Sequence, residues 1–277
     1  MIKLGSHVPF TKPKYLVGAA EYSLKNGANT MMIFLGAPQN NKRVSPTLYN
    51  TEEYLANFAA KTPPIDVIVH APYIINPANP LKQAYSVDFL VEEIERMNTF
   101  GAKYLVLHPG AYTTFAPEQA LDTLAASLKM IIERTKDVVI CIETMSGKGT
   151  EIGINFDQIK YLLTKVDDER VQVCLDTCHM WDAGYNLKDY SEFKKTLKKY
   201  DLLKNVKVIH LNDSKNELNS HKDRHENIDQ GKIKLATLAK FVHDPDFANI
   251  PIILETPIPD SGQIYDQEIA MLLKHKF

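Results

Sequence analysis

The stretch KYLVLHPGAYTTFAPEQALDTLAASLKMIIERTKDVVICIET (103–144) contains the pattern that decides the fold. Its two ends, KYLVLHP (103–109) and VVICIET (138–144), are near-continuous apolar runs, which is typical of parallel strands buried on both faces. Between them, ALDTLAASLKMIIERT (120–135) has apolar residues at helical spacing. The stretch therefore predicts a strand–helix–strand unit whose two strands run parallel.

The same alternation recurs along the whole chain. Further apolar runs of this kind are IKLGSHV (2–8), TMMIFL (30–35), DVIVHA (66–71), VQVCLDT (171–177), VKVIHLN (206–212) and PIILET (251–256). Segments with helical spacing, such as YLVGAAEYSLKNG (15–27) and VDFLVEEIERMNTFG (87–101), lie between them. Eight strand–helix alternations predict an α/β fold, a (β/α)8 TIM barrel. Because no linker-like segment interrupts the pattern, we expect residues 1–277 to form one domain. The polar stretch 212–232 is too polar for a core and is expected to be a functional loop after the seventh strand.

Composition indicates an ordinary soluble globule. Hydrophobic residues make up 44% of the chain and charged residues 24%. The formal net charge is −2, so the sequence lacks the basic excess that is typical of nucleic-acid-binding proteins. Cys141 and Cys174 lie in apolar runs and are expected to be buried reduced thiols. Cys178, beside His179, is a weaker candidate for a metal contact. The N-terminus has no signal-peptide pattern and no run reaches membrane-spanning length, so a cytoplasmic protein is expected.

Six consecutive predicted strands, from the third to the eighth, finish in a His, Asp or Glu. These residues are His70, His108, Glu143, Asp176, His210 and Glu255. A single one would more often be a hydrogen-bonded residue or a helix cap than a metal ligand. In a barrel, however, all carboxyl ends of the strands converge on one face. Six converging carboxylates and imidazoles would repel one another or stay unpaired unless cations or protons balance them.

Three further candidates lie in loops. His179 follows Asp176 by three residues in DTCHMWDAG (176–184), and DRHEN (223–227) supplies Asp223 and His225. Imidazole and carboxylate without thiolate suit Zn²⁺ or Mn²⁺ in a catalytic site. One tetrahedral ion needs three or four ligands, so nine candidates predict two or three metal ions.

At these positions the chain resembles endonuclease IV, the zinc-dependent AP-endonuclease family, over essentially its full length. The matching segments are GSHV (5–8), HAPYIIN (70–76), LHPG (107–110), IETMSGKGTEIG (142–153), LDTCHMWDAGYN (175–186), HLNDSK (210–215), DRHENI (223–228) and ILET (253–256). The resemblance implies three zinc ions. It implies that the first is held by His70, His108 and Glu143; the second by Glu143, Asp176, His210 and Glu255; and the third by His179, Asp223 and His225.

The resemblance also implies the reaction, which is DNA base-excision repair. The substrate would be double-stranded DNA, cut hydrolytically 5′ to an abasic site to leave a 3′-hydroxyl, with removal of blocked 3′ ends as a second activity. Two close metal ions can hold a hydroxide and lower its pKa from about 15.7 toward about 7. Glu143 would bridge two ions and contact that hydroxide, which makes it the candidate catalytic residue. We expect a monomer.

Candidate DNA contacts follow from the same resemblance. Tyr73 and Ile74 occupy the position of a wedge that fills the gap left by a flipped abasic nucleotide, and packing at the barrel mouth is their alternative role. Gln39 and Asn40 fit a second DNA-contacting loop. Arg224 would reach a phosphate or pair with a nearby acid.

Two positions depart from the family pattern. Some members carry an Arg wedge where this sequence has Asn40, with Lys42 and Arg43 shortly after it. The family usually has Gly where Asp229 stands, which leaves the backbone shape of that loop open.

Two other classes of function remain as alternatives. Sugar isomerases and epimerases similar to xylose isomerase also line a barrel mouth with His, Asp and Glu, but around one or two divalent metals. The additional ligands in DTCHMWDAG and DRHEN argue against that reaction. A catalytically silent DNA-binding or scaffold protein is the third alternative, and an intact ligand set argues against it because unpaired buried carboxylates are costly.

Overall fold

A computed structural model of the chain describes residues 1–275, and within them eight parallel strands close into a barrel. Each barrel strand pairs with the next one along the chain, and the last pairs with the first, Lys3 opposite Pro251. The predicted (β/α)8 barrel is thereby confirmed. The barrel strands are β1 (Lys3–His7), β2 (Thr30–Ile33), β3 (Val67–His70), β4 (Tyr104–Leu107), β5 (Val139–Glu143), β6 (Val171–Asp176), β7 (Val206–His210) and β10 (Pro251–Leu254). Two short strands outside the barrel are β8 (Asp213–Ser214) and β9 (His225–Glu226).

Helices cover the outside of the barrel. They are α1 (Tyr15–Lys25), α2 (Thr51–Asn57), α3 (Gln83–Asn98), α4 (Pro117–Arg134), α5 (Phe156–Val166), α6 (Thr177–Asp182), α7 (Tyr190–Lys199), α8 (Leu235–His243) and α9 (Tyr265–Lys274). In α4, Pro117 occupies the first turn, where its missing N–H costs nothing, and Leu121, Leu124 and Leu128 form the buried face. Among the described residues, no helix combines the length and apolar character that a bilayer crossing requires.

The core has two layers. One lies between the strands and the helices, and the other fills the barrel interior. The interior layer consists of Met32, Ile68, Val106, Cys141, Cys174, Val208 and Ile253, all fully buried. The side chains at the strand ends lie directly above this closely packed interior layer.

The stretch 212–232 forms the long loop predicted after β7. Although the stretch is polar, part of it is buried. Within it, β8 and β9 form a short antiparallel pair. Asp213 is buried because its carboxylate accepts backbone N–H groups of Gly231, Ile233 and Lys234. Polar side chains are tolerated in an interior when such hydrogen bonds satisfy them.

Candidate active site

A cleft of about 360 Å³ opens where the barrel strands end at their carboxyl termini. Its lining includes seven of the candidate ligands, namely His70, His108, Glu143, His179, Asp223, His225 and Glu255. Asp176 and His210 lie beneath them with no exposed surface. His108 and Glu255 each stand one residue beyond the strand that positions them. The structure therefore brings all nine predicted ligands to one place.

Glu143 lies at the centre of this group. One carboxylate oxygen is 3.3 Å from both His70 Nε2 and His108 Nε2. The other is 3.2 Å from His179 Nδ1 and 3.1 Å from His210 Nδ1. Burial opposes ionisation of Glu143, but the surrounding imidazoles outweigh it and hold its pKa well below the ordinary value. Glu143 therefore lies between two sets of imidazoles, with one carboxylate oxygen facing each set.

The second set surrounds His210. Its Nδ1 lies 3.0 Å from a Glu255 oxygen and 4.0 Å from an Asp176 oxygen. Asn212 Nδ2 donates to the same Asp176 oxygen at 2.8 Å, which fixes the orientation of that carboxylate. Burial opposes protonation of His210, yet Cys174 and then the carboxylates of Glu255 and Glu143 raise its pKa well above the ordinary value. Glu143, Asp176, His210 and Glu255 all lie within the reach of one metal ion.

The third set is shallower and comes from a helix and a loop. His179 on α6 has its Nε2 3.2 Å from Asp223 Oδ1, and His225 Nε2 is 3.7 Å from the same oxygen. Asp176, His179 and His225 also form a compact ligand group. Burial opposes ionisation of Asp223, but the His179 hydrogen bond lowers its pKa to about 2.

Two features of the site fit divalent metal ions. First, His225 Nε2, which lies 3.7 Å from an Asp176 oxygen and from an Asp223 oxygen, is a buried imidazole nitrogen with no hydrogen-bond partner in residues 1–275. Second, backbone carbonyls orient three of the rings: Ala71 binds His70 Nδ1, Thr144 binds His179 Nδ1, and Glu255 binds His225 Nδ1. A carbonyl on one ring nitrogen fixes the tautomer and leaves the other nitrogen for a metal. The donor set of imidazoles and carboxylates suits zinc.

The candidate DNA contacts lie around this cleft. Tyr73 lines it and is 50% exposed, and Ile74 beside it is 38% exposed. Gln39 is exposed and Asn40 partly exposed on the neighbouring loop. Arg224 is exposed and donates to the Asp223 carbonyl at 3.3 Å, so it does not pair with an acid in residues 1–275.

Arg43 cannot serve as the missing wedge. Its side chain is 2% exposed, and its Nε lies 2.8 Å from a fully buried Glu93 oxygen on α3. The guanidinium also donates to the carbonyls of Asn40 and Lys42 and lies over the Phe89 ring. Arg43 therefore anchors the Gln39–Asn40 loop to the barrel.

The structure adds site residues that the sequence reasoning did not select. His7 ends β1 and lines the cleft, and its position at a strand end was the signal that could have found it. Cys174 lies within ligand distance of Glu143 and His210, although burial raises the pKa of its thiol to about 12. Cys178, the predicted weaker candidate, is buried and free and falls in none of the ligand groups of the described residues.

Asp229, at the position where the resemblance leads us to expect glycine, has a left-handed backbone. Its φ of 72° is left-handed, a conformation that Asp tolerates better than most residues. The Asp229 carboxylate accepts the Leu235 N–H at 3.2 Å, and its carbonyl accepts from Lys234 Nζ at 3.0 Å. These bonds hold the turn that follows the ligand loop.

Comparison with known proteins agrees with the barrel fold. The sequence family described as "Xylose isomerase-like TIM barrel" matches residues 20–275. "Probable endonuclease 4" of Mycoplasmopsis synoviae is 69% identical over 276 residues, covering 100% of both chains. "Probable endonuclease 4" of Mycoplasmopsis agalactiae is 63% identical over 276 residues, covering 100% of this chain and 99% of the other.

Among solved structures, endonuclease IV from Thermus thermophilus superposes with a TM-score of 0.84 at 28% identity. The match covers 99% of this chain and 100% of that one. The sequence similarity along the whole length and the superposed barrel both relate this chain to endonuclease IV. The chain belongs to the endonuclease IV family.

Proposed function

We propose that this chain repairs DNA by hydrolysing the phosphodiester bond 5′ to an abasic site, leaving a 3′-hydroxyl, and that it also removes blocked 3′ ends. The observation that carries the proposal is the convergence of nine imidazole and carboxylate side chains in one cleft, in a chain 69% identical to a relative named as an endonuclease. Residues 1–277 would act as one domain and one monomer in the cytoplasm, on double-stranded DNA.

Three zinc ions fit the three ligand sets, with Mn²⁺ as a chemically acceptable substitute in any of them. The sets are His70, His108 and Glu143; Glu143, Asp176, His210 and Glu255; and His179, Asp223 and His225. When bound, the ions supply charge that lowers the pKa of water and stabilises negative charge on phosphate oxygens. This chemistry needs no nucleophilic side chain from the protein.

The protein itself holds the ligand side chains in fixed positions. Glu143 shares its two oxygens between different imidazoles, so one carboxylate fixes the spacing of two ligand sets. The carbonyls of Ala71 and Thr144 hold two of the rings in place before substrate arrives. Tyr73 and Ile74 would enter the space left by the missing base, where unstacking costs least. Gln39, Asn40 and Arg224 would contact the DNA around this wedge.

The decisive assay uses a duplex with one tetrahydrofuran abasic analogue. Because this analogue cannot undergo β-elimination, cleavage must be hydrolytic. We expect one cut 5′ to the analogue and inhibition by a chelator. Glu143→Gln should keep the fold yet lose most incision, because a neutral amide bridges two cations poorly. Glu192→Gln, which removes an exposed carboxylate from α7, is the control for the charge change. Near wild-type incision by Glu143→Gln at full zinc occupancy would refute the role of Glu143.

A further inference from the structure

A carboxylate outside the ligand sets holds the loop that supplies two of the candidate ligands. Asp182, the last residue of α6, has no exposed surface. One of its oxygens accepts from Ser214 Oγ at 2.7 Å, and the other accepts from Asn216 Nδ2 at 3.3 Å and from the Asp223 N–H at 2.8 Å. Its backbone carbonyl also accepts the His221 N–H at 3.0 Å. One residue thus binds the loop between β8 and β9 at three points and the end of β8 at a fourth.

This carboxylate is balanced by hydrogen bonds alone. Within residues 1–275 the ion pairs include none that involves Asp182. A buried carboxylate is costly unless its oxygens are satisfied, and here one oxygen accepts from Ser214 in β8 and the other accepts from the loop. If the loop moved away, the Asp182 oxygen that accepts from Asn216 and Asp223 would lose both partners at once. The carboxylate and the loop are therefore stable only together.

The loop needs this support because its backbone is strained. Asn219, His221 and Asp223 all have left-handed backbones, with φ values of 66°, 53° and 54°. Non-glycine residues persist in this region when their surroundings dictate the conformation. Two of these three residues donate their backbone N–H to Asp182. Asp182 thus stabilises the conformation that turns the Asp223 side chain toward the cleft.

Asp182 and the ligand His179 lie three residues apart on α6, and residues at this spacing share a helix face. The same short helix therefore fixes one ligand directly and a second ligand through a backbone hydrogen bond. We propose that Asp182 is a positioning residue that sets Asp223 against His179 and so builds the third metal site. The inference rests on the proposed function, because it assumes an ion bound by His179, Asp223 and His225.

The test compares Asp182→Asn with a carboxylate at the other end of the barrel. Asp182→Asn keeps the shape of the side chain but turns one acceptor into a donor. Asp66→Asn is the control, because Asp66 is also buried, precedes β3, and pairs with Lys3 at 2.6 Å far from the cleft. Zinc per chain is measured by elemental mass spectrometry across a chelator series. Amide exchange of residues 215–223 is measured on the metal-free proteins.

We expect Asp182→Asn to lose one zinc ion at a chelator concentration that leaves the wild type intact, since loss of a partner behind a ligand typically weakens metal binding about 10–100-fold. Its residues 215–223 should exchange faster, and Asp66→Asn should behave as wild type in both measurements. Identical zinc loss in wild type and Asp182→Asn would overturn the inference, as would the same loss in Asp66→Asn.

The experiment still tests the role of Asp182 if the wild type binds fewer than three zinc ions or if Asp182→Asn does not fold. If the wild type never holds three zinc ions, the metal count of the proposed function fails, and amide exchange alone decides the role of Asp182. Unchanged exchange would then overturn that role, and faster exchange would support it. If Asp182→Asn does not fold, Ser214→Ala removes one hydrogen bond to Asp182 and is put through the same two measurements.

Discussion

Replacing Arg43 with Met should destabilise the protein by leaving Glu93 buried without its partner. The two side chains are 2% and 0% exposed and meet at 2.8 Å. Breaking a buried ion pair from one side typically costs about 3–5 kcal/mol. Arg96 Nη1 stays 3.7 Å from the same Glu93 oxygen, so we expect the lower end, about 3 kcal/mol. At about 2 °C per kcal/mol for a chain of this size, Tm should fall by about 6 °C.

The loss should also depend on pH. Burial raises the pKa of Glu93 above its ordinary value of 4.5, while Arg43 opposes the rise. Removing Arg43 moves the pKa higher still. A carboxyl group with a raised folded pKa stabilises the fold below its unfolded pKa, and this stability is lost as pH rises through the folded value. The destabilisation by Arg43→Met should therefore be small near pH 4.5 and grow at higher pH.

Urea denaturation followed by circular dichroism between about pH 5 and pH 8 measures both effects. Glu93→Gln and the double variant complete a mutant cycle, and the double variant should regain stability and lose the added pH dependence. A loss for Arg43→Met below about 1 kcal/mol, the range of exposed pairs, and equal at every pH, would refute the reasoning. If the double variant regains stability, its incision activity measures how much the anchoring of the Gln39–Asn40 loop by Arg43 contributes to activity.

Two further predictions concern DNA. Replacing both Tyr73 and Ile74 with Ala should weaken binding to an abasic duplex and leave zinc content and Tm unchanged, because both side chains are largely exposed; a lowered Tm with normal binding would indicate packing instead. Three zinc ions would change the formal charge of −2 to about +4, concentrated at the cleft, so zinc-loaded protein should bind uncut abasic duplex far better than metal-free protein. The salt dependence should be shallower than that of a basic protein making about 6–10 phosphate contacts, and equal affinity of the folded metal-free and loaded forms would contradict this.

The barrel and most of the site could be predicted because both follow from local pattern. A buried parallel strand needs a continuous apolar run, so the His or acid that ends the run marks the barrel mouth. The same rule applies to His7, which ends β1 and lines the cleft. The role of Arg43 could not be predicted, since its partner Glu93 lies fifty residues away. The buried state of Asp213 was also missed, because polarity alone indicates exposure and its compensating donors are invisible until the loop folds back.

The nine candidate ligands are supported in two different ways. His70, Glu143, Asp176 and His210 end barrel strands, so their positions follow from the register of backbone hydrogen bonds around a closed sheet. Such ligands move only if the register of the barrel changes. Asp223 instead depends on a left-handed backbone and on one buried carboxylate. The proposed third site can therefore be altered by single side-chain changes in α6 or the loop, while the four ligands that end barrel strands are as rigid as the barrel that carries them.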